Sequence, residues 1–469
     1  MSDDSRFLKA LGVVALSSAG GVFLVKKLVN YVSDRILYDI MTKVYDANLW
    51  ELATATQRFG INDLVETELR AHAEDFINRP IGGPRKFRFL QRILFDIAQM
   101  NTLPTPKETI IDTSVVIGPR ARKPMELEIP ILIGGMAYGL ALSEAYRIAI
   151  AKGSALAGTA TNTGLGPFIT AERKAAKYLI IQYSRVPWNK DKEILRQGDA
   201  IEVQFGQGAN AGVGRIMRSR EIGPVLRRRM GLKKEQDAIV QNRLDGVNSP
   251  TDLRRLIKRL KAITSGVPVG VKYGAGKHIE RDLAIAVKAG ADFISVDGAE
   301  AGTHGSLPIM EDNFGIPTLI AAARAAKFWE KHRLKNKVSL LVGGGLTTPG
   351  DVLKILGLGA DAVYMGTAPL FAATHTQVLK SLPYNPPPQL AYYDGKDKKK
   401  FKIEEGAKSL ARFLNWTVFE IEEGVRALGK TAIRDVCKDD MMTYDEEVAQ
   451  ITGVHLAFYP PTMLKPLRP

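Results

Sequence analysis

Eight short apolar, β-branched runs recur through the middle of the chain, at Ile129–Ile133, Ala155–Ala160, Tyr178–Gln182, Ala200–Phe205, Val267–Val271, Phe293–Val296, Val338–Val342 and Ala362–Met365. Most are spaced by roughly 22 to 25 residues, room for one strand, one helix and two short loops, the period of a (β/α)8 unit. The expected fold class is therefore α/β, a (β/α)8 TIM barrel with an N-terminal helical segment and a C-terminal helical extension. Two gaps are longer, holding Arg215 to Lys261 and Glu311 to Lys337. Both are expected to be insertions carrying extra helices, the first near 210–262.

Glycines follow the last three runs. Asp297-Gly298-Ala299-Glu300-Ala301-Gly302-Thr303-His304-Gly305 comes first, then Val342-Gly343-Gly344-Gly345-Leu346, then Met365-Gly366-Thr367. Just past a strand end, a glycine lets backbone N–H groups come close to an anion. The loops after strands seven and eight of such barrels commonly hold a phosphate. Asp297, Gly302, Gly343, Gly344, Gly345, Gly366 and Thr367 are accordingly expected to form a phosphate-and-flavin cradle.

Earlier strand ends complete an ordered set: Gly134-Gly135-Met136-Ala137-Tyr138-Gly139, Asn162-Thr163-Gly164, Gly206-Gln207-Gly208-Ala209 and Val271-Lys272-Tyr273. With the Asp297 loop and the Gly343 triplet, this set resembles the FMN-binding synthase domain of glutamate synthase. The resemblance covers roughly residues 105 to 385. It implies a stand-alone synthase barrel that binds FMN, in which ammonia and 2-oxoglutarate form an imine that reduced flavin converts to glutamate. A flavin needs a cation near N1 and O2, and Lys272 at the end of the fifth strand is placed to supply it. Gln204 and Gln207 bracket the end of the fourth strand, where an amide both donates and accepts hydrogen bonds. Gly135, Met136 and Ala137 are expected to run along the flavin edge, with Asn162 and Thr163 offering polar contacts. His304 is the first candidate proton donor and His375 the second.

Departures from the family pattern bear on chemistry. The chain has one cysteine, Cys437, and Ala368 to Tyr384 has none. Glutamate synthases place iron–sulfur ligands there, and a cluster needs several thiolates, so no iron–sulfur cluster is expected. No N-terminal nucleophilic cysteine marks an amidotransferase, so free ammonia or a partner is expected to supply nitrogen. The family's Gln-Gly-Ala-Lys-Pro-Gly becomes Gln207-Gly208-Ala209-Asn210-Ala211-Gly212, without its carboxylate-binding cation. Chemistry of the inosinate dehydrogenase type needs a barrel cysteine. Hydroxy-acid oxidase chemistry needs an arginine after the histidine, where Ser306 and Leu307 stand. Imine reduction leads. An FMN-dependent oxidoreductase on another substrate and a non-catalytic flavin- or phosphate-binding membrane-associated barrel are the alternatives. With no G-x-G-x-x-G unit for a nicotinamide dinucleotide, a separate electron donor protein or reductase is expected.

Ala10 to Val25 is uncharged and bracketed by Lys9 and by Lys26-Lys27. It reads as a membrane anchor within residues 1–34, with the body on the cytoplasmic side of the cell membrane by the positive-inside rule. The net charge of +15 comes with no nucleic-acid motif, which favours an anionic membrane surface and anionic ligands. A helical lead-in is expected over 35–106, with Trp50, Leu52, Phe59, Leu64 and Leu69 packing towards a barrel at 107–384. Beyond the break at Asn385-Pro386-Pro387-Pro388, helices are expected at Glu404–Phe413, Thr417–Leu428 and Tyr444–Thr452 in an extension over 385–469. This extension could serve as a lid, a homo-oligomer contact or packing against the barrel.

Overall fold

The computed structural model describes residues 3–44, 50–73, 77–83, 87–302 and 304–460, the side chains of 3–22 excepted. The chain divides into two units, 1–77 and 78–469. The first contains helices Asp3–Thr42, Trp50–Phe59 and Ile61–His72. Of the apolar residues expected in the lead-in helices, Leu64 is half-buried, and Trp50, Leu52, Phe59 and Leu69 are 51%, 58%, 55% and 43% exposed. Helices this short bury an apolar face only against another layer of structure. Among the described residues no helix is long and apolar enough to cross a membrane. All but the last three residues of the expected anchor run, Ala10 to Val25, lie outside the described side chains.

In the second unit eight parallel strands close into a barrel in chain order: Ile131–Ile133, Ala160–Asn162, Tyr178–Tyr183, Ala200–Gln204, Val269–Gly274, Phe293–Asp297, Ser339–Gly343 and Ala362–Met365. Seven overlap their expected runs closely. The second begins only at Ala160, because Ala155 and Leu156 end the helix Glu144–Leu156. That stretch is alanine-rich, which favours helix, and Ser143 caps it by accepting the Tyr146 N–H at 3.3 Å.

The barrel interior is layered. At its base an antiparallel pair, Val115–Ile117 with Met125–Leu127, buries Ile117, Met125 and Leu127 against Leu132, Ile180, Phe293 and Leu341. Gly270 makes room there, since a Cβ on it would fall 2.3 Å from the Phe293 ring. Above this apolar plug the inward positions turn polar.

The first insertion differs from the expected extra helices. It holds an antiparallel pair, Arg215–Met217 with Ala238–Val240, and one helix, Pro224–Met230. Leu226, Met230 and Ala238 form a separate apolar cluster with Tyr138, Ile169 and Trp188 from the loops after strands one to three. The insertion thus roofs that side of the mouth. The basic run there is engaged in the fold, with Arg227 donating to the Ser219 carbonyl at 2.7 Å and Arg229 pairing with Glu144 at 2.7 Å. Pro250–Ile263 is a regular barrel helix, N-capped by Ser249. In the second long gap only Pro308–Asn313 is extra, and Thr318–His332 is the barrel helix.

The two helices expected from 404 to 428 are one, Ile403–Ala427. Its buried face, Leu410, Leu414, Val418, Ile421 and Val425, repeats at helical spacing. It lies on Glu144–Leu156, and Gly153 permits the approach, as a Cβ there would sit 2.9 Å from the Ala407 carbonyl. The extension therefore packs along the outer helices of the barrel. Met441–Thr443 pairs with Ile93–Phe95, tying the end of the lead-in to the extension rather than leaving it as a separate helical layer.

Candidate active site

Inward positions of the strands fall at every second residue, so Gln182, Glu202, Gln204, Lys272, Ser295, Asp297 and Tyr364 converge on the barrel axis. Glu202 is fully buried and organises the middle layer. Its Oε1 accepts from Asn162 Nδ2 and from Gln182 Nε2, both at 2.8 Å. Its Oε2 accepts from the hydroxyls of Ser295 and Tyr364, both at 3.0 Å. Four donors make a buried carboxylate tenable.

One level higher, strand pairing sets Lys272 beside Gln204 on one side and Ser295 on the other. Lys272 Nζ lies 3.2 Å from Asp297 Oδ2 and 4.8 Å from the centre of the Tyr364 ring. Burial works against the charge on Lys272, but the carboxylates of Asp297 and Glu202 outweigh it and hold the ammonium above the ordinary lysine range. Burial pushes the Asp297 carboxyl up, with Lys272 pulling it down and Glu202 adding to the rise. Beside Lys272, both amide atoms of fully buried Gln204 have no hydrogen-bond partner among the described residues. Just past the third strand, Ser184 Oγ likewise has none. Buried polar groups are normally satisfied, so these atoms mark where a polar ligand belongs.

The strand-end glycines follow from close backbone approach. A Cβ on Gly343 would sit 2.7 Å from Asp297 Oδ1, and one on Gly302 only 1.9 Å from Ala209 Cβ. Gly344 and Gly345 have φ of +129° and +64°. The helix Thr367–His375 starts directly after Gly366, so its first N–H groups lack intrahelical acceptors and face the same loop cluster. Gly135 and Met136 are half-buried and Ala137 is buried above the first strand. Asn162 and Thr163 are committed to protein partners. Asn162 Oδ1 accepts the Gly164 N–H at 2.9 Å, and Thr163 Oγ1 accepts the Gln182 N–H at 3.0 Å. Both hold the second loop in place. Gln207 is half-buried at the head of the short turn Gly208–Asn210.

His304 lies apart from the Lys272 pair, against Tyr392 at 4.6 Å between ring centres, with the Asn78 amide 3.2 Å from Nδ1. Burial lowers its pKa to about 4, with Asp394 opposing and Arg215 adding to the fall. The folded protein keeps this ring neutral, so at neutral pH it offers one N–H rather than an imidazolium proton. Because the unfolded chain takes up a proton near pH 6.5, stability from His304 is present above that pH and is lost as pH falls towards 4. His304→Gln should flatten the urea-unfolding profile between pH 4.5 and 7 by about 1–3 kcal/mol. An unchanged pH slope would remove His304 as its source. His375 is exposed at the far end of its helix, roughly 12 Å along from the mouth.

The conserved region of glutamate synthase matches residues 93–431. The chain belongs to the glutamate synthase family of enzymes. It is 33% identical over 398 residues to a glutamate synthase large subunit-like protein of Rhizobium meliloti, covering 81% of this chain and 90% of that one. It is 31% identical to an archaeal-type glutamate synthase [NADPH] of Thermotoga maritima, covering 71% of this chain and 64% of the relative. With the archaeal glutamate synthase [NADPH] of Archaeoglobus fulgidus it shares 32%, over 66% of this chain and 61% of the relative. The chain thus spans less than two thirds of those two relatives. Among solved structures, the flavin-binding domain of baker's yeast flavocytochrome b2 superposes with a TM-score of 0.50 at 16% identity, covering 81% of this chain and 84% of that one. A chimera of (S)-mandelate dehydrogenase gives 0.50 at 15%, covering 77% and 92%. These likenesses show the barrel fold.

Within this glutamate synthase barrel, the sequence-derived candidates Gln204, Lys272, Asp297 and Gly343 come together at the mouth. Glu202, Gln182, Ser295, Tyr364 and Ser184 were missed. Polar residues at alternate places in apolar strands, as in Glu202-Val203-Gln204 and Ser295-Val296-Asp297, carried the signal.

Proposed function

We propose that this glutamate synthase family member binds FMN at the barrel mouth and reduces the imine of ammonia and a 2-oxo acid, taking 2-oxoglutarate to glutamate. The carrying observation is Lys272, a buried cation beside the orphaned Gln204 amide. When bound, FMN supplies the hydride that turns the imine carbon into the amine carbon. The residues present fit it. Lys272 would hold the N1 and O2 edge, where a cation favours the negative charge of the reduced ring. Gln204 and Ser184 would satisfy their free polar atoms on the ring. The amides around Gly344, Gly345, Gly366 and Thr367 would hold the phosphate. Gly135, Met136 and Ala137 would line the ring, and the roof built on Leu226 and Met230 would shield it from water. Gln207 is available to a substrate oxygen.

With ammonia as nitrogen source, electrons would come from a separate donor protein or reductase. The uncharged run before Lys26-Lys27 supports an N-terminal anchor holding the enzyme at the cytoplasmic face of the cell membrane. Removing residues before Leu28 should move the protein to the soluble fraction on membrane fractionation, and persistence in the membrane would sink that placement.

The test of the activity is anaerobic reduction of the flavin-loaded protein, followed by 2-oxoglutarate and ammonium. Reoxidation that needs both supports glutamate formation. Asn210, where the family has a lysine, favours the second reading, an FMN oxidoreductase on another substrate. A bound flavin that neither compound reoxidises would decide for it, and a protein that cannot take up FMN would leave a non-catalytic barrel.

A further inference from the structure

Arg185 follows the third strand and is 2% exposed. Its Nη1 donates to the Gly212 carbonyl, and its Nε and Nη2 are buried without a partner among the described residues. Burial lowers its pKa to about 10. Arg147, equally buried, is paired with Glu172, whereas no ion pair to Arg185 is present among the described residues. A buried guanidinium without a counterion is costly, and an anion would relieve it.

The two free nitrogens form the side edge of the guanidinium. That edge matches the two oxygens of a carboxylate in a bidentate pair. It sits at the C-terminal end of the barrel, where the active sites of this fold lie. Its cover is the loop after the fourth strand, which carries Asn210 and the Gly212 carbonyl that accepts from Arg185. Asn210 is turned to its own loop, its Oδ1 accepting the Gly212 N–H at 3.3 Å. Arg185 lies two residues past the end of the third strand, Tyr178–Tyr183, and is not one of the inward strand residues around Lys272. The end of the substrate remote from the reacting carbon suits that place.

Resting on the function proposed above, we infer that Arg185 binds the distal carboxylate of the 2-oxo acid. The test uses FMN-loaded full-length protein titrated with 2-oxoglutarate and with 2-oxobutyrate, which lacks the distal carboxylate, followed by the flavin absorbance. The unmodified protein should prefer 2-oxoglutarate by about 30-fold or more, the range of a buried charge-assisted pair. Arg185→Gln should erase the preference while still binding FMN, and Arg185→Lys should keep part of it. Arg185→Gln with the full preference would overturn the inference. If that variant does not fold, Arg185→Lys and the unmodified protein decide. A full preference in the former, or none in the latter, overturns it. Should the unmodified protein bind neither acid, the functional reading itself fails and this inference falls with it.

Discussion

Lys272→Ala is expected to cut flavin-dependent turnover by about 100-fold or more, the effect of removing one preorganised electrostatic partner of a developing negative charge. The same change strands Asp297, buried and 3.2 Å from the vanished ammonium, in an interior that already holds the Glu202 carboxylate. Breaking a buried pair in this way should cost about 3–5 kcal/mol of stability. The two effects separate experimentally. Urea unfolding reads the second, and turnover at saturating flavin on the folded fraction reads the first. Lys272→Arg should keep the charge but fit the space poorly, recovering stability before rate. Full turnover in folded Lys272→Ala would remove the lysine from the chemistry.

The second large effect belongs to Glu202. Glu202→Leu leaves four buried donors, from Asn162, Gln182, Ser295 and Tyr364, without their acceptor. At about 1–3 kcal/mol for each unsatisfied group, a loss of about 4 kcal/mol or more follows. Glu202→Gln should be milder, about 1–3 kcal/mol. Its new amide can face the Ser295 and Tyr364 hydroxyls, which rotate to accept, while its oxygen still serves Asn162 and Gln182. Equal unfolding midpoints for the two variants would show that Glu202 is not the centre of the network. Because Lys272 draws on both carboxylates, Glu202→Gln should also weaken flavin binding, seen by titration of the apoprotein.

The strand runs at Phe293–Val296 and Ala362–Met365 were legible because a buried parallel strand needs an unbroken apolar segment, and such segments are visible in a chain. Gly343, Gly344 and Gly345 were legible for a related reason, as only glycine tolerates that backbone and that proximity. The run from Ala155 to Ala160 misled because alanine is apolar yet favours helix, so Ala155 and Leu156 finish the helix Glu144–Leu156 and only Ala160 enters the strand. The insertion was visible as a gap but not as a roof, since nothing local shows that Leu226 will meet Tyr138.

By itself the sequence determined the barrel, its strand order and the placing of Lys272, Gln204 and the glycine loops at one end. Those features follow from periodicity and from what single residue types permit. Tertiary structure alone decided that Glu202 gathers donors from four other strands, that Lys272 pairs with Asp297, that His304 is held neutral, and that Arg185 is buried with no ion pair among the described residues. Charge and hydrogen-bond state depend on burial and on neighbours far apart in the chain, and only closure of the barrel brings those neighbours together.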